Sequence, residues 1–265
     1  HIFGFISTFN GDAIKDVELI KGGFPAEYGG RLSAVLNLTQ KDGNMDKVQG
    51  NASLGVISSR TSLEGPSPIK GGTWFVGGRR TYFEAIKAIL PEDDKNPLPD
   101  FNFYDLNAKY SQILSDNDKV FVSGFMSSDK FSVGTYGISM DLSISNQLAS
   151  ARWNHIFSSS LFSTLNVSGS KYTNKFLGDN SGYKFIFNNS ITDYTAKFGL
   201  EWYLNEQITV KSGLDVSNYK FTYLQNFSGN TDSTVDNKNG QLNMSVSDWN
   251  YAAYAQVNYQ VSDLL

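Results

Sequence analysis

From residue 44 onward, apolar and polar residues alternate with a period of two, the spacing of strands whose two faces meet unlike surroundings. In "NYAAYAQVNYQV", Tyr251, Ala253, Ala255, Val257, Tyr259 and Val261 fall on one face. Asn250, Ala252, Tyr254, Gln256, Asn258 and Gln260 fall on the other. "YTAKFGLEWYL" sets Tyr194, Ala196, Phe198, Leu200, Trp202 and Leu204 against Thr195, Lys197, Gly199, Glu201 and Tyr203. "ITVKSGLDVSNY" and "VQGNASLGV" read the same way. The pattern predicts about ten strands, near 47–56, 58–65, 72–83, 101–113, 119–130, 144–157, 161–175, 190–204, 207–223 and 248–261. Most exceed the ~5–6 residues of a soluble strand and fit the ~9–11 that cross a bilayer at a tilt.

The connections alternate in length. "SDND" at 115–118, "SSS" at 158–160 and "NEQ" at 205–207 are short; 84–100, 131–143 and 225–246 read as long loops. Short turns on one side and long loops on the other are the asymmetry of an outer-membrane barrel. Tyr110, Phe157, Tyr203 and Tyr259 precede short turns and are expected at one membrane level, as an aromatic girdle. A soluble β-sandwich also alternates, but it rarely repeats strands this long.

Composition narrows the chemistry. The 265 residues include 19 Phe and 14 Tyr and no Cys, so disulfides, thiolate metal sites and Cys nucleophiles are excluded. A formal charge of −4 gives nucleic acid no electrostatic footprint. No run of ~18 apolar residues encodes a transmembrane helix. The two histidines, His1 and His155, have no metal-ligand spacing, and His155 reads as an interfacial residue beside Trp153 and Phe157. No nucleophile elbow, phosphate loop or complete calcium loop occurs. No catalytic residue, metal or cofactor is expected, and the chain does not read as an enzyme.

Charge on the polar phase is more telling. Arg60, Glu64, Asp105, Lys109, Arg152, Lys197, Glu201, Lys211 and Asp215 fall mostly opposite the apolar face. A cation pointing into lipid at mid-membrane costs ~2–4 kcal/mol, so these residues are expected in a wet or filled lumen, a solvated outer face being the alternative. In "GGRRTY", outward Trp74, Val76 and Tyr82 would put Arg79 inside and Arg80 near the outer rim, close to lipopolysaccharide phosphates.

The first 43 residues differ from the rest of the chain. "IKDVELIKGGFPAEYGGRLSAVLNLTQKDGN" resembles the end of the plug domain of TonB-dependent outer-membrane receptors. The residues that carry the likeness are Val17, Glu18, Leu19, Ile20, Lys21 and Gly22, then Tyr28, Gly29, Gly30 and Arg31, then Val35, Leu36 and Lys41. Gly29 and Gly30 are expected to take positive φ, and Tyr28 to anchor the turn by burial. "LGVISSRTSLEGP" and "FVGGRRTYFEAI" are similar to the first barrel strands of the Bacteroidetes branch. The likeness covers about 90 residues; the rest matches by pattern alone. "GGFPAEYGGRLSAVL" departs from the turn of the nutrient-binding branch, which works with a surface lipoprotein.

The resemblance implies an all-β fold: a transmembrane antiparallel β-barrel, about ten strands of some 22 being present, with the C-terminal part of a plug. Residues 1–43 would be plug and 44–265 the N-terminal part of the barrel, in a bacterial outer membrane. A closed ten-strand barrel has no room for a folded plug, so a longer polypeptide is expected. The implied function is import of a scarce extracellular ligand, a siderophore, cobalamin, glycan or peptide. TonB would pull on the plug through a segment preceding this stretch. The other implied partners are outer-membrane lipid or lipopolysaccharide and, in some branches, a surface lipoprotein. A small complete barrel of structural or enzymatic role and a soluble β-sandwich adhesin or lectin are the other readings.

Overall fold

The computed structural model describes residues 10–30, 32–89, 98–229 and 240–261. His1, Arg31, the middle of the 84–100 connection and residues 262–265 lie outside them.

Two sheets form. The first is a hairpin of β1 (Ile14–Ile20) and β2 (Val35–Gln40), with Glu18 opposite Asn37 and Leu19 opposite Leu36. The second has ten antiparallel strands in strict chain order: β3 (Gln49–Leu54), β4 (Ser58–Pro66), β5 (Gly72–Thr81), β6 (Asp100–Ile113), β7 (Asp118–Thr135), β8 (Ile138–Ser158), β9 (Leu161–Asn180), β10 (Tyr183–Tyr203), β11 (Ile208–Ser228) and β12 (Gly240–Tyr259). A one-turn helix, α1 (Phe83–Lys87), follows β5. Among the described residues the sheet ends at β3 on one side and β12 on the other.

The ten expected strands are all present, but the later ones are longer than expected: β8, β10 and β11 each have 21 residues. The expected loops at 131–143 and 225–246 are corrected, and the gap left between the strands 161–175 and 190–204 is filled. Residues 131–143 are almost wholly strand, turned by Tyr136–Gly137 alone, with φ of 44° and 84°. Residues 176–182 continue β9 into a matching turn at Ser181–Gly182, φ 53° and 91°. Two central residues at positive φ make the primed turn whose twist matches the flanking strands. The 225–246 stretch likewise holds strand, to Ser228 and from Gly240.

These strand ends escape the pattern because the polarity of the faces inverts partway up. The hairpin lies against one face of the large sheet, here called the inner face, which carries Arg60, Lys109, Arg152, Lys197 and Lys211. The opposite, outer face of β10 is apolar at Tyr194, Ala196, Phe198, Leu200 and Trp202, and polar at Ser190 and Thr192 above. On β12 the outer face runs from Trp249 and Tyr251 through Val257 to Tyr259, with Gln241, Asn243, Ser245 and Ser247 above. The apolar part thus spans about 11 residues, the length needed to cross a bilayer at a tilt. Along the upper rows the inner face becomes apolar instead, so an apolar face traced along the sequence is lost where it changes sides.

One member of the expected aromatic level is corrected. Tyr203 shares the inner phase of Glu201, to which its hydroxyl donates at 2.9 Å, and packs edge-on against Phe162. Trp202 takes the outer position. Period-2 geometry makes one residue of shift a change of face.

The hairpin reaches the large sheet through a close crossing at Gly43. A Cβ there would press into the Trp74 carbonyl oxygen and lie 2.7 Å from its carbon and 2.8 Å from its nitrogen. Those are backbone atoms of β5, fixed in the ladder, and cannot yield. Gly43→Val is therefore expected to lower stability to urea by about 1–3 kcal/mol through forced displacement of the crossing. Gly11→Ala, whose Cβ meets nothing within 4 Å, is the control and should shift the midpoint little.

Candidate functional site: the charged seat and the aromatic wall above it

Ion pairs and hydrogen bonds tie the hairpin and its flanking segments to the inner face. Asp12 pairs with Arg60 at 3.1 Å, Lys41 with Glu64 at 3.0 Å and Asp42 with Lys109 at 2.8 Å. Lys109 also donates to the Gln40 carbonyl at 2.8 Å, and Ser111 donates to Asp42 at 3.0 Å. The Ala26 N–H donates to Gln256 on β12 at 2.8 Å. The side chains of Glu64 and Lys109 are 7% and 6% exposed. Burying a charge is costly unless it is paired and hydrogen-bonded, and both groups have partners on the hairpin side.

The other charges pair within the wall. Arg79 and Asp105 meet at 2.7 Å, both buried, with the guanidinium 4.9 Å from the centre of the Phe103 ring. Lys197 lies directly across the β10–β11 ladder from Asp215, and Glu201 from Lys211, at 2.9 and 3.2 Å. Opposite charges facing each other across a ladder support its register. Arg152 stacks over Phe121 at 4.4 Å. It lines two cavities between hairpin and wall, of about 310 and 630 Å³. The larger is bordered by Glu18, Glu27 and Tyr28 on the hairpin side and by Lys197, Glu201, Lys211 and Asp215 on the wall side. Arg80 is exposed on the outer phase and pairs with Glu84 of α1 at 2.8 Å.

On the hairpin, Asn37 joins two of the motif residues, donating to Glu18 at 3.0 Å and to the Tyr28 hydroxyl at 2.7 Å. Sequence reading missed it, because only the β1–β2 register brings it there. Two motif expectations are corrected. Gly29 has φ −51°, whereas Gly22, Gly23 and Gly30 take 72°, 58° and 74°. The first glycine pair, closing β1, is the one that turns the chain. Tyr28 is half-exposed and held by its hydroxyl rather than by burial. Lys21 is exposed. His155 is not a lone interfacial ring: it lies 2.7 Å from Asp118, between Trp153 and Phe157, and the Trp153 N–H donates to the same carboxylate.

Above the charged seat the inner face turns aromatic. Phe176 contacts Phe187 at 6.0 Å, and Phe227 meets Phe185 and Phe187 edge-on at 5.6 and 5.8 Å. Leu142 and Leu242 share the row of Phe176 and Phe187, Met140 shares that of Phe185 and Phe227, and Met244 lies in the row below. Asn174 and Asn189 face each other among them, each with a buried amide oxygen that has no partner among the described residues.

No family model matches the sequence, and no curated protein matches it either. Solved structures do match. The outer membrane transporter YddB from Escherichia coli superposes with a TM-score of 0.63 at 9% identity, over 93% of this chain and 41% of that one. The ferric preacinetobactin receptor BauA from Acinetobacter baumannii gives 0.62 at 11%, over 94% and 45%. The ferric yersiniabactin uptake receptor FyuA from Yersinia pestis gives 0.57 at 12%, over 87% and 40%. The chain spans less than half the length of these three structures.

Asp42 is one carboxylate of the seat that answers to pH. Burial lifts its carboxyl, but the bond and charge of Lys109, then the Ser111 hydroxyl, outweigh that and hold it below the usual carboxylate range. A depressed carboxylate contributes stability above its unfolded pKa and loses it as pH falls through the folded value. The hairpin should stay seated from neutral pH to about pH 4 and loosen below, read as faster thiol labelling of Leu38→Cys. Asp42→Asn and Lys109→Met should show a coupling of about 1–2 kcal/mol in a double-mutant cycle on the same readout.

Taken with its ten-stranded antiparallel order and its inner and outer phases, the chain has the fold of part of an outer-membrane receptor barrel.

Proposed function

We propose that the chain is part of a TonB-dependent receptor of the bacterial outer membrane, with residues 1–43 the end of its plug and 44–265 the first part of its barrel. Its work is import of a scarce extracellular ligand, and the Bacteroidetes branch is the one its sequence resembles. The observation that carries the reading is the polar seat. A segment built to stay would be packed on apolar side chains. This one rests on ion pairs and hydrogen bonds that water can replace when the segment is pulled. Val17, Leu19 and Leu36 are about half-exposed on the hairpin, a surface that the rest of a plug would cover.

The upper aromatic wall suits the receiving end. Stacked rings with amide groups between them offer apolar area and hydrogen bonds together. A siderophore, cobalamin, glycan or peptide each fits that description. The open edges at β3 and β12 favour a larger barrel over a small closed one, since lipid leaves an unpaired strand edge no partner.

The full-length receptor carrying Ala26→Cys and Gln256→Cys, with any cysteine outside residues 1–265 replaced by Ser, tests the reading; residues 1–265 themselves hold no Cys. A short reducible crosslinker between the two should cut energised uptake at least tenfold, and reductant should restore it. Uptake unchanged by the tether would overturn the moving-plug assignment.

A further inference from the structure

The outer face carries a band of cations just above its apolar belt. The register defines three successive outward rows across β6 to β12. The lowest reads Leu106, Met126, Gln147, Lys171, Thr192, Lys220 and Ser247. The next reads Tyr104, Ser128, Ser145, Thr173, Ser190, Thr222 and Ser245. The third reads Asn102, Lys130, Ser143, Lys175, Asn188, Leu224 and Asn243. Lys130, Lys171, Lys175 and Lys220 are all exposed, and none of the three rows contains Asp or Glu. Acidic outward residues begin one row higher, at Asp100 and Asp141, with Asp179 above them directly opposite Lys184.

Directly beneath the lowest of these rows run Tyr194 and Trp249, with Tyr251 one row further down, each more than half exposed. Exposed rings of that kind mark the interface between hydrocarbon and headgroups. The lysines therefore stand at headgroup depth, not in bulk water. Lys171 and Lys220 are two strands apart, as are Lys130 and Lys175, which spaces each pair by about 10 Å. Lys171 and Lys175 lie four residues apart on β9, about 13 Å. These spacings are comparable to the ~8–10 Å screening length, so the four charges act on a nearby anion together. Ser, Thr, Asn and Gln fill the positions between them and add neutral donors.

We propose that this band is a docking surface for the phosphate groups of the outer leaflet's anionic lipid. Lys130, Lys171, Lys175 and Lys220 bind headgroup phosphates while the acyl chains lie along the apolar belt from Trp249 to Val257. The continuity of belt and band selects a lipid over a soluble anion, since only a lipid meets both. The inference rests on the outer-membrane reading of the chain.

The test uses the full-length protein in detergent and three probes: diphosphorylated lipid A, its dephosphorylated form, and inorganic pyrophosphate. Bound lipid is counted by native mass spectrometry. Wild type should retain diphosphorylated lipid A, and the quadruple Lys→Gln variant should bind it at least tenfold more weakly. The quadruple Lys→Arg variant should bind as wild type does. Dephosphorylated lipid should bind weakly to all three proteins, and millimolar pyrophosphate should not displace the lipid. Heat-modifiable gel mobility checks that each variant is folded; should the quadruple Lys→Gln variant fail it, the Lys171→Gln, Lys220→Gln double variant carries the test with a reduced but measurable loss. Equal binding by a folded Lys→Gln variant, or displacement by pyrophosphate, would overturn the proposal and leave the receptor reading standing. Recovery of the wild-type protein in aqueous buffer without detergent would overturn the receptor reading itself.

Discussion

On the proposed outer-membrane reading, the structure depends on one constraint: backbone N–H and C=O groups in hydrocarbon have no water to bond, so each must be bonded by a neighbouring strand. A meander of antiparallel strands in chain order meets this with the least chain. The nine ladders from β3 to β12 run without a crossover, and the pairings of β9, β10 and β11 extend over nearly their whole length. With the ladder fixed, the pleat assigns every side chain to one face or the other, and the two faces then answer to their surroundings separately.

Those surroundings change with height, and the side chains change with them. Within the belt the outer face is apolar and the inner face charged. Above it the outer face is Ser, Thr, Asn and Lys, while the inner face gathers Phe176, Phe185, Phe187 and Phe227. The strands do not stop where the apolar belt stops, and a two-residue turn closes β7–β8 and β9–β10 far above it. The inversion builds a walled space with aromatic lining, reached from the side opposite the short turns.

The charged part of the inner wall serves two demands. Some pairs, such as Arg79 with Asp105 and Lys197 with Asp215, close within the wall and hold its register. Others, at Arg60, Glu64 and Lys109, meet counter-charges on the segments that flank the hairpin, at Asp12, Lys41 and Asp42. Removing the hairpin would leave Glu64 and Lys109 without those partners, a cost that water entering the space could offset.

The sequence by itself determined the number and order of the strands. It also separated the charged phase from the apolar one within the belt, because period-2 alternation is a local property of consecutive residues. Arg60, Glu64, Asp105, Lys109, Arg152, Lys197, Glu201, Lys211 and Asp215 could be marked for the inner side on that ground. Only the tertiary structure decided where the strands end, because the alternation persists while its polarity changes sides. It also decided which charge meets which: Lys109 and Asp42 are 67 positions apart, and no local pattern joins them. Asn37 became the tie between Glu18 and Tyr28 through the β1–β2 register. The lysine band emerged the same way. Lys130, Lys171, Lys175 and Lys220 are scattered along the chain, and become one surface only when the register of strands β7 to β11 brings them together.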